Sequence, residues 1–296
     1  MHELDQIQMQ FNPAALGILN AILGFILFGV SLDLKPEDFT RLFKMPKPVI
    51  IGLVGHTFIL PSLTYILILI IHPSPSLALG MILIAACPGG HMANFMTKLS
   101  NGNTALSITI SSVSTLIAAF FTPFNFSFWS GRIPYLQELV RKFHLSFFDM
   151  VSTLLVLVVI PLLLGLYVSV KHPNIAHKIQ RPIKTFSLIF FFAFLIYGIV
   201  SNVHLFKGKA YIALLLVILH NAIALASGFL LGKAFKLDMA DAKTLSFEVG
   251  IQNVGLGLVL IFSFFDGLGG MALMASIWGV WHILSGFGLS YYFSKK

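Results

Sequence analysis

Residues 245–265, LSFEVGIQNVGLGLVLIFSFF, read as membrane interior with a polar, glycine-broken opening. Glu248 lies inside this run. A carboxylate at that depth costs several kcal/mol or more unless it is paired, so it marks a functional site by default. Gln252 and Asn253 follow it, and Gly250 and Gly255 flank them. Glycine tolerates backbone angles that other residues resist, so the helix is expected to unwind there. A second polar stretch, CPGGHMANF (Cys87 to Phe95), interrupts another long apolar segment. Two interrupted apolar segments in corresponding places of two halves point to a transporter's binding site.

The rest of the chain agrees with a membrane setting. Its 296 residues are 57% hydrophobic and 10% charged, with a mean hydropathy of +0.91. Soluble domains carry about a quarter charged residues. A span needs about 20 apolar residues. Nine candidates satisfy that, near 14–32, 47–71, 75–98, 103–130, 147–170, 185–203, 209–232, 241–264 and 267–293. The fourth carries Pro123 and is a candidate for a further break. The expectation is one all-α polytopic domain over residues 1–296, with no soluble domain and no cleavable signal at the start. The net charge of +8 does not indicate nucleic acid, because the basic residues lie between apolar segments, where they set topology. Nine spans divide the Lys and Arg residues fourteen to five, which places the N-terminus outside and the C-terminus in the cytoplasm of a cell membrane.

Spans one to four resemble spans six to nine in the order of their features. Span five stands between them, so the two groups enter the bilayer in opposite directions. Such an arrangement is an inverted repeat of five helices lacking its first member. No HExxH, GxSxG or GxxxxGK[ST] pattern occurs, and Cys87 is the only cysteine. No enzyme, redox or cofactor role is expected, and no obligate protein partner is evident.

Taken in order, FGVSLDLKPEDF, CPGGHMANFMTKLSNGNTALSITISSVSTL, TPF, LHN, DAKTLSFEVGIQNVGL and VWHILSG make the chain resemble the bile acid:sodium symporter family. The pieces run from about residue 24 to residue 286. The resemblance implies a core (about 47–130 and 209–293) moving against a panel (about 14–32, 147–170 and 185–203), with two broken helices crossing in the core. It implies alternating-access transport of an organic anion, either bile-acid-like or a small carboxylate or sulfonate.

The resemblance also implies ligands. A first sodium ion would take Asn94, Ser107, Ser111 and Glu248. A second would take Glu248, Gln252 and the carbonyls of Val249 and Ile251, with a side chain at position 56. The anion would lie near Gly90, His91, Asn94, Asn253 and His282. Two positions depart from the family pattern. Ala93 replaces a hydroxyl residue, and His56 replaces a glutamine, which removes an oxygen ligand from each ion site. Three outcomes stay open: weakened sodium coupling, proton coupling through His56, or a His56 cation standing in for the second ion with transport uncoupled. A carrier of the same fold in another family and a non-transporting membrane sensor stay open too. His220 and Asn221 are expected to make structural contacts between helices. Asp33, Glu37 and Asp38 are expected to cap or orient a loop.

Overall fold

A computed structural model describes residues 5, 13–32, 34–143, 146–201 and 210–295. Asp33, Lys207, Lys209 and Lys296, used above for capping and topology, lie outside the described residues. Among the described residues the regular elements are all helices. Its helices are α1 (Pro13–Ser31), α2 (Pro36–Lys44), α3 (Pro46–Ile71), α4 (Pro75–Ala86), α5 (Met92–Leu99), α6 (Thr104–Ser130), α7 (Gln137–Lys142) and α8 (Phe147–Lys171). After them come α9 (Pro173–Ser201), α10 (Ala210–Ala234), α11 (Met239–Gly250), α12 (Val254–Phe264) and α13 (Gly269–Ser294).

Several of these helices start on proline, whose missing N–H and fixed φ suit the first helical position. Pro36, Pro46 and Pro75 are examples. Among the described residues, α3, α6, α8, α10 and α13 are each long and apolar enough to cross a bilayer. At 1.5 Å per residue they reach roughly 38–40 Å, more than the hydrocarbon thickness of about 30 Å. The shorter apolar helices α4 and α12 are halves of the two interrupted segments.

Two local details differ from the sequence reading. α6 runs unbroken through Pro123, with Thr122 donating to the carbonyl of Ala86 at 2.8 Å. α9 begins at Pro173 instead of near 185, because a basic stretch containing Lys178, Arg181 and Lys184 continues the same helix outward. A third feature was not anticipated. α3 and α8 each contain one π-type turn, Gly55–Ile59 and Leu155–Val159. Each turn immediately precedes a Leu-Pro or Ile-Pro pair. A proline ring clashes with the carbonyl four residues back and offers no N–H, so the ladder slips to the next carbonyl.

α1 packs on α8 and α9, and the remaining long helices gather around α11 and α13. The main core is centred on α4, α12 and α13, with Trp278, Phe126 and Phe265 fully buried. α10 and α11 come close through glycines. A Cβ on Gly228 or Gly232 would strike the backbone of Leu245 or Ala242. Small residues permit such backbone approach where solvent exclusion does not drive helix association. In α2, Asp38 accepts from the Lys35 N–H at 2.8 Å and pairs with Arg41 at 2.5 Å, which is a capping role.

Candidate functional site

The two interruptions meet. Pro88 pushes the preceding Cys87 into extended backbone (φ −69°, ψ 152°) and so ends α4. Ile251 is likewise extended and ends α11. The two unwound segments then pair as a single antiparallel bridge between Gly89 and Gln252. The Gly90 N–H donates to the Ile251 carbonyl at 2.7 Å, and the Asn253 N–H to the Pro88 carbonyl at 2.9 Å. No side chain fits at Gly90, where a Cβ would lie 2.7 Å from the Gln252 oxygen. Gly90 is therefore needed for this close approach.

Four helix ends converge on the bridge. α4 and α11 direct their C-termini at it, and α5 and α12 start from it. Asn253 caps α12, its Oδ1 accepting from the Leu256 N–H at 3.1 Å. His91 is the residue before α5, and its Nε2 is buried without a partner. Partial positive charge at helix N-termini favours anions, and the C-termini favour cations.

Glu248 is fully buried two residues before the end of α11. Ser107 Oγ makes a short hydrogen bond to its Oε1. Ser111 Oγ, one turn further along α6, lies 3.0 Å from both Oε1 and Oε2. Asn94 of α5 closes the group, its Oδ1 2.7 Å from Ser107 Oγ and 3.3 Å from Ser111 Oγ. Five oxygens from three helices thus share two hydroxyl protons. Among the described residues, no cationic side chain takes part. Ala93, the neighbour of Asn94, is buried and adds only a methyl group.

The freed backbone carbonyls are a separate population. Gln252 Nε2 donates to Val249 O at 2.7 Å, and Asn221 Nδ2 donates to Gly250 O at 2.8 Å. Ile251 O takes the Gly90 N–H, and Gln252 O takes the Val254 N–H at 3.0 Å. Across the bridge, Ala86 O takes the Thr122 hydroxyl, Pro88 O the Asn253 N–H and Gly90 O the Ala93 N–H. His56 is buried in the π-type turn of α3. Its Nδ1 has no partner, and the ring lines a small cavity of about 10 Å³ with Thr57, Ser114 and Asn125. Gln252 Oε1 is buried without a hydrogen-bond partner.

Of the expected residues, Asn94, Ser107, Ser111 and Glu248 form one cluster, and His56, Val249, Ile251 and Gln252 lie at the bridge beside it. Gly90, His91 and Asn253 are at the helix starts. His282 is buried in α13, with Nδ1 held at 2.5 Å by the Trp278 carbonyl one turn earlier. Sequence reading missed the position of Asn221, which reaches the break itself and accepts from Ser285 Oγ of α13 at 2.6 Å. The LHN motif was the signal. Both residues of that pair make the expected contacts between helices: His220 lies 2.6 Å from Thr64 Oγ1 of α3, and Asn221 joins α10 to α11 and α13. Lys243 was missed as well. Its buried Nζ donates to Ser100 O at 3.1 Å and Phe293 O at 2.8 Å, closing the ends of α5 and α13.

Known proteins resemble this chain in sequence. The model of the sodium bile acid symporter family matches residues 20–209. A Bacillus subtilis (strain 168) protein, named as the uncharacterized sodium-dependent transporter YocS, is 34% identical over 278 residues, covering 94% of this chain and 83% of that one. The P3 protein of Mus musculus is 27% identical, covering 79% of this chain and 48% of its own length. A probable sodium/metabolite cotransporter of rice chloroplasts, BASS2, is 29% identical, covering 80% of this chain and 55% of its own. The chain thus spans most of the Bacillus relative and about half of the other two. It is a multi-pass membrane protein of the transporter class and not an enzyme, and it belongs to the sodium bile acid symporter family.

Proposed function

We propose that the protein is a secondary active transporter that couples an organic anion to sodium at the crossing of its two broken helices. The observation that carries this reading is the cluster of Asn94, Ser107, Ser111 and Glu248. Five oxygens with two protons between them repel one another in a buried setting, and a hard monovalent cation among them relieves that repulsion. A carboxylate with no cationic side chain beside it favours the same occupant. The loss of a hydroxyl at Ala93 leaves this oxygen set intact. The sodium-dependent name of the Bacillus relative supports the choice of ion.

The anion is assigned to the opposite polarity of the crossing. The starts of α5 and α12 supply positive ends at Gly90, His91 and Asn253, and Asn94 stands between the two ligands. His282 is assigned to the lining through Nε2, since its Nδ1 is already engaged. The substrate class is a bile-acid-like or small carboxylate or sulfonate anion. The fold is read as nine spans, with α4–α5 and α11–α12 each counted as one. A panel of α1, α8 and α9 then works against a core of the others in alternating access. Ion and anion share the same half-helices, so each raises the affinity for the other. The excess of basic residues on one side supports a cell-membrane protein with its N-terminus outside.

Uptake into proteoliposomes tests the reading. Labelled bile-acid conjugates and short carboxylates and sulfonates are offered under an inward sodium gradient, with choline as control. Accumulation of at least one anion, driven by sodium and lost in Glu248→Gln, is expected. Uptake equally strong without sodium, or no uptake of any anion, overturns it.

A further inference from the structure

Resting on the sodium reading above, we infer that Lys243 is a positioning residue for the ion, holding Asn94 and Glu248 in register from the far end of their helix pair. α5 and α11 run antiparallel, and their links come in order. The Gly90 N–H donates to Ile251 O at the crossing. Asn94 and Glu248 meet through the hydroxyl of Ser107. Lys243 Nζ then donates to Ser100 O at 3.1 Å. Lys243 precedes Glu248 by five residues, roughly 7.5 Å along the helix axis. The ion cluster therefore lies between two clamps. α5 has only eight residues, and a helix so short takes its place from what holds its ends.

Among the described residues, Lys243 is the only buried lysine or arginine, 5% exposed. A buried ammonium is costly unless hydrogen bonds and opposite charge compensate it. No carboxylate pairs with it among the described residues. It faces two helix C-termini instead, where partial negative charge gathers. Ser100 follows α5, and Phe293, whose carbonyl accepts at 2.8 Å, lies in the last turn of α13. The neighbours of Lys243 fasten the third ligand helix. Asp241 Oδ1 accepts from Asn103 Nδ2, and Thr244 Oγ1 accepts from the Asn103 N–H, both at 2.8 Å. Asn103 caps α6 one turn before Ser107. All the helices that supply oxygens to the cluster are thus bound to the first turns of α11. The cluster leaves little slack. Asn94 Oδ1 is 2.7 Å from Ser107 Oγ, and a slip of α5 by about 1 Å breaks that bond.

The sign of the effect separates this role from that of a bare charge. An ammonium on the helix that holds the ion repels it, so removing the charge alone tightens sodium. Losing the clamp loosens it. Equilibrium binding of labelled sodium to the purified full-length chain, with choline at constant ionic strength and well below each melting temperature, reads the difference. Lys243→Met is expected to weaken sodium about tenfold, and Lys243→Arg, which keeps charge and donors, to recover most of that loss. Should Lys243→Met not fold, Lys243→Gln, which keeps an N–H donor without the charge, is expected to weaken sodium as well. Leu154→Ala is the control. It leaves a cavity at a fully buried position of α8, outside the ligand helices, and is expected to lower the melt and keep wild-type affinity. Wild-type or tighter binding in Lys243→Met or Lys243→Gln overturns the inference and leaves sodium binding standing. So does an equal loss in Leu154→Ala, because lowered stability then explains both, and so does an arginine variant as weak as the methionine one. No saturable binding in the wild type overturns the sodium reading and the inference with it.

Discussion

Gly90→Ala probes the crossing with a single methyl group. Gly90 does not have positive φ, so alanine suits its backbone and the effect is steric. The new Cβ would sit 2.7 Å from Gln252 O and 3.0 Å from Gln252 C, against an ordinary contact of 3.4 Å or more. The two unwound segments must separate by about 0.7 Å, which stretches the Gly90–Ile251 bond of 2.7 Å and the Asn253–Pro88 bond of 2.9 Å beyond useful range. Each buried bond left unmade costs about 1–3 kcal/mol, giving about 2–6 kcal/mol together. At about 2–4 °C per kcal/mol, thermal unfolding in detergent should fall by at least about 4 °C. Sodium affinity should fall too, since Asn94 and Glu248 follow the two segments that separate. Gly288→Ala is the control. It is exposed in α13 with nothing within 4 Å of the new Cβ, and the change gains about 0.5–1 kcal/mol of helix stability. A Gly90→Ala protein as stable as the control, with wild-type sodium affinity, would show that the two segments do not depend on this close approach.

Ser107→Ala and Ser111→Ala each remove one oxygen from the Glu248 cluster, and each should weaken sodium about tenfold, or about 1.4 kcal/mol, in equilibrium binding. Unchanged affinity in both would place the ion elsewhere. Lys243→Met leaves the carbonyls of Ser100 and Phe293 without donors and should lower the melting temperature by several degrees, a loss of about 1–3 kcal/mol. A melt at or above wild type would show that burying the ammonium offsets those bonds. In the loop between α6 and α7, burial, with the Asp5 carboxylate adding to it, pushes the Tyr135 hydroxyl up to about 12. Its contribution to stability is therefore complete below about pH 10 and is lost as pH rises toward about 12. The phenolate absorbance lost in Tyr135→Phe should appear only near the upper limit, and earlier in Asp5→Asn. Titration of that component at an ordinary tyrosine value would refute the assignment.

Local chemistry governs which features could be read from the sequence. The breaks at CPGG and GIQN were legible because proline and glycine act on their own neighbours, and the structure unwinds at those residues. The Glu248 cluster was legible through the resemblance, since Ser107 and Ser111 are four apart on one helix. Pro123 misled, because α6 tolerates a proline in a well-buried stretch. The partners of the carbonyls were not legible. Asn221 reaches Gly250 across 29 residues of sequence, and Lys243 reaches Phe293 across 50. No local pattern encodes such contacts. His56 was noticed as a departure, but its place in a π-type turn was not legible, because that turn reflects how Pro61 is accommodated within α3.

Sodium binding at Glu248 is tested most directly by a thermal-shift titration of purified wild type and Glu248→Gln in sodium, with choline at matched ionic strength. A ligand that binds only the folded chain stabilises it by mass action. A saturable rise in melting temperature is expected for the wild type and none for the variant. Equal shifts in the two proteins, or no sodium-specific shift in the wild type, would contradict an ion held by this carboxylate.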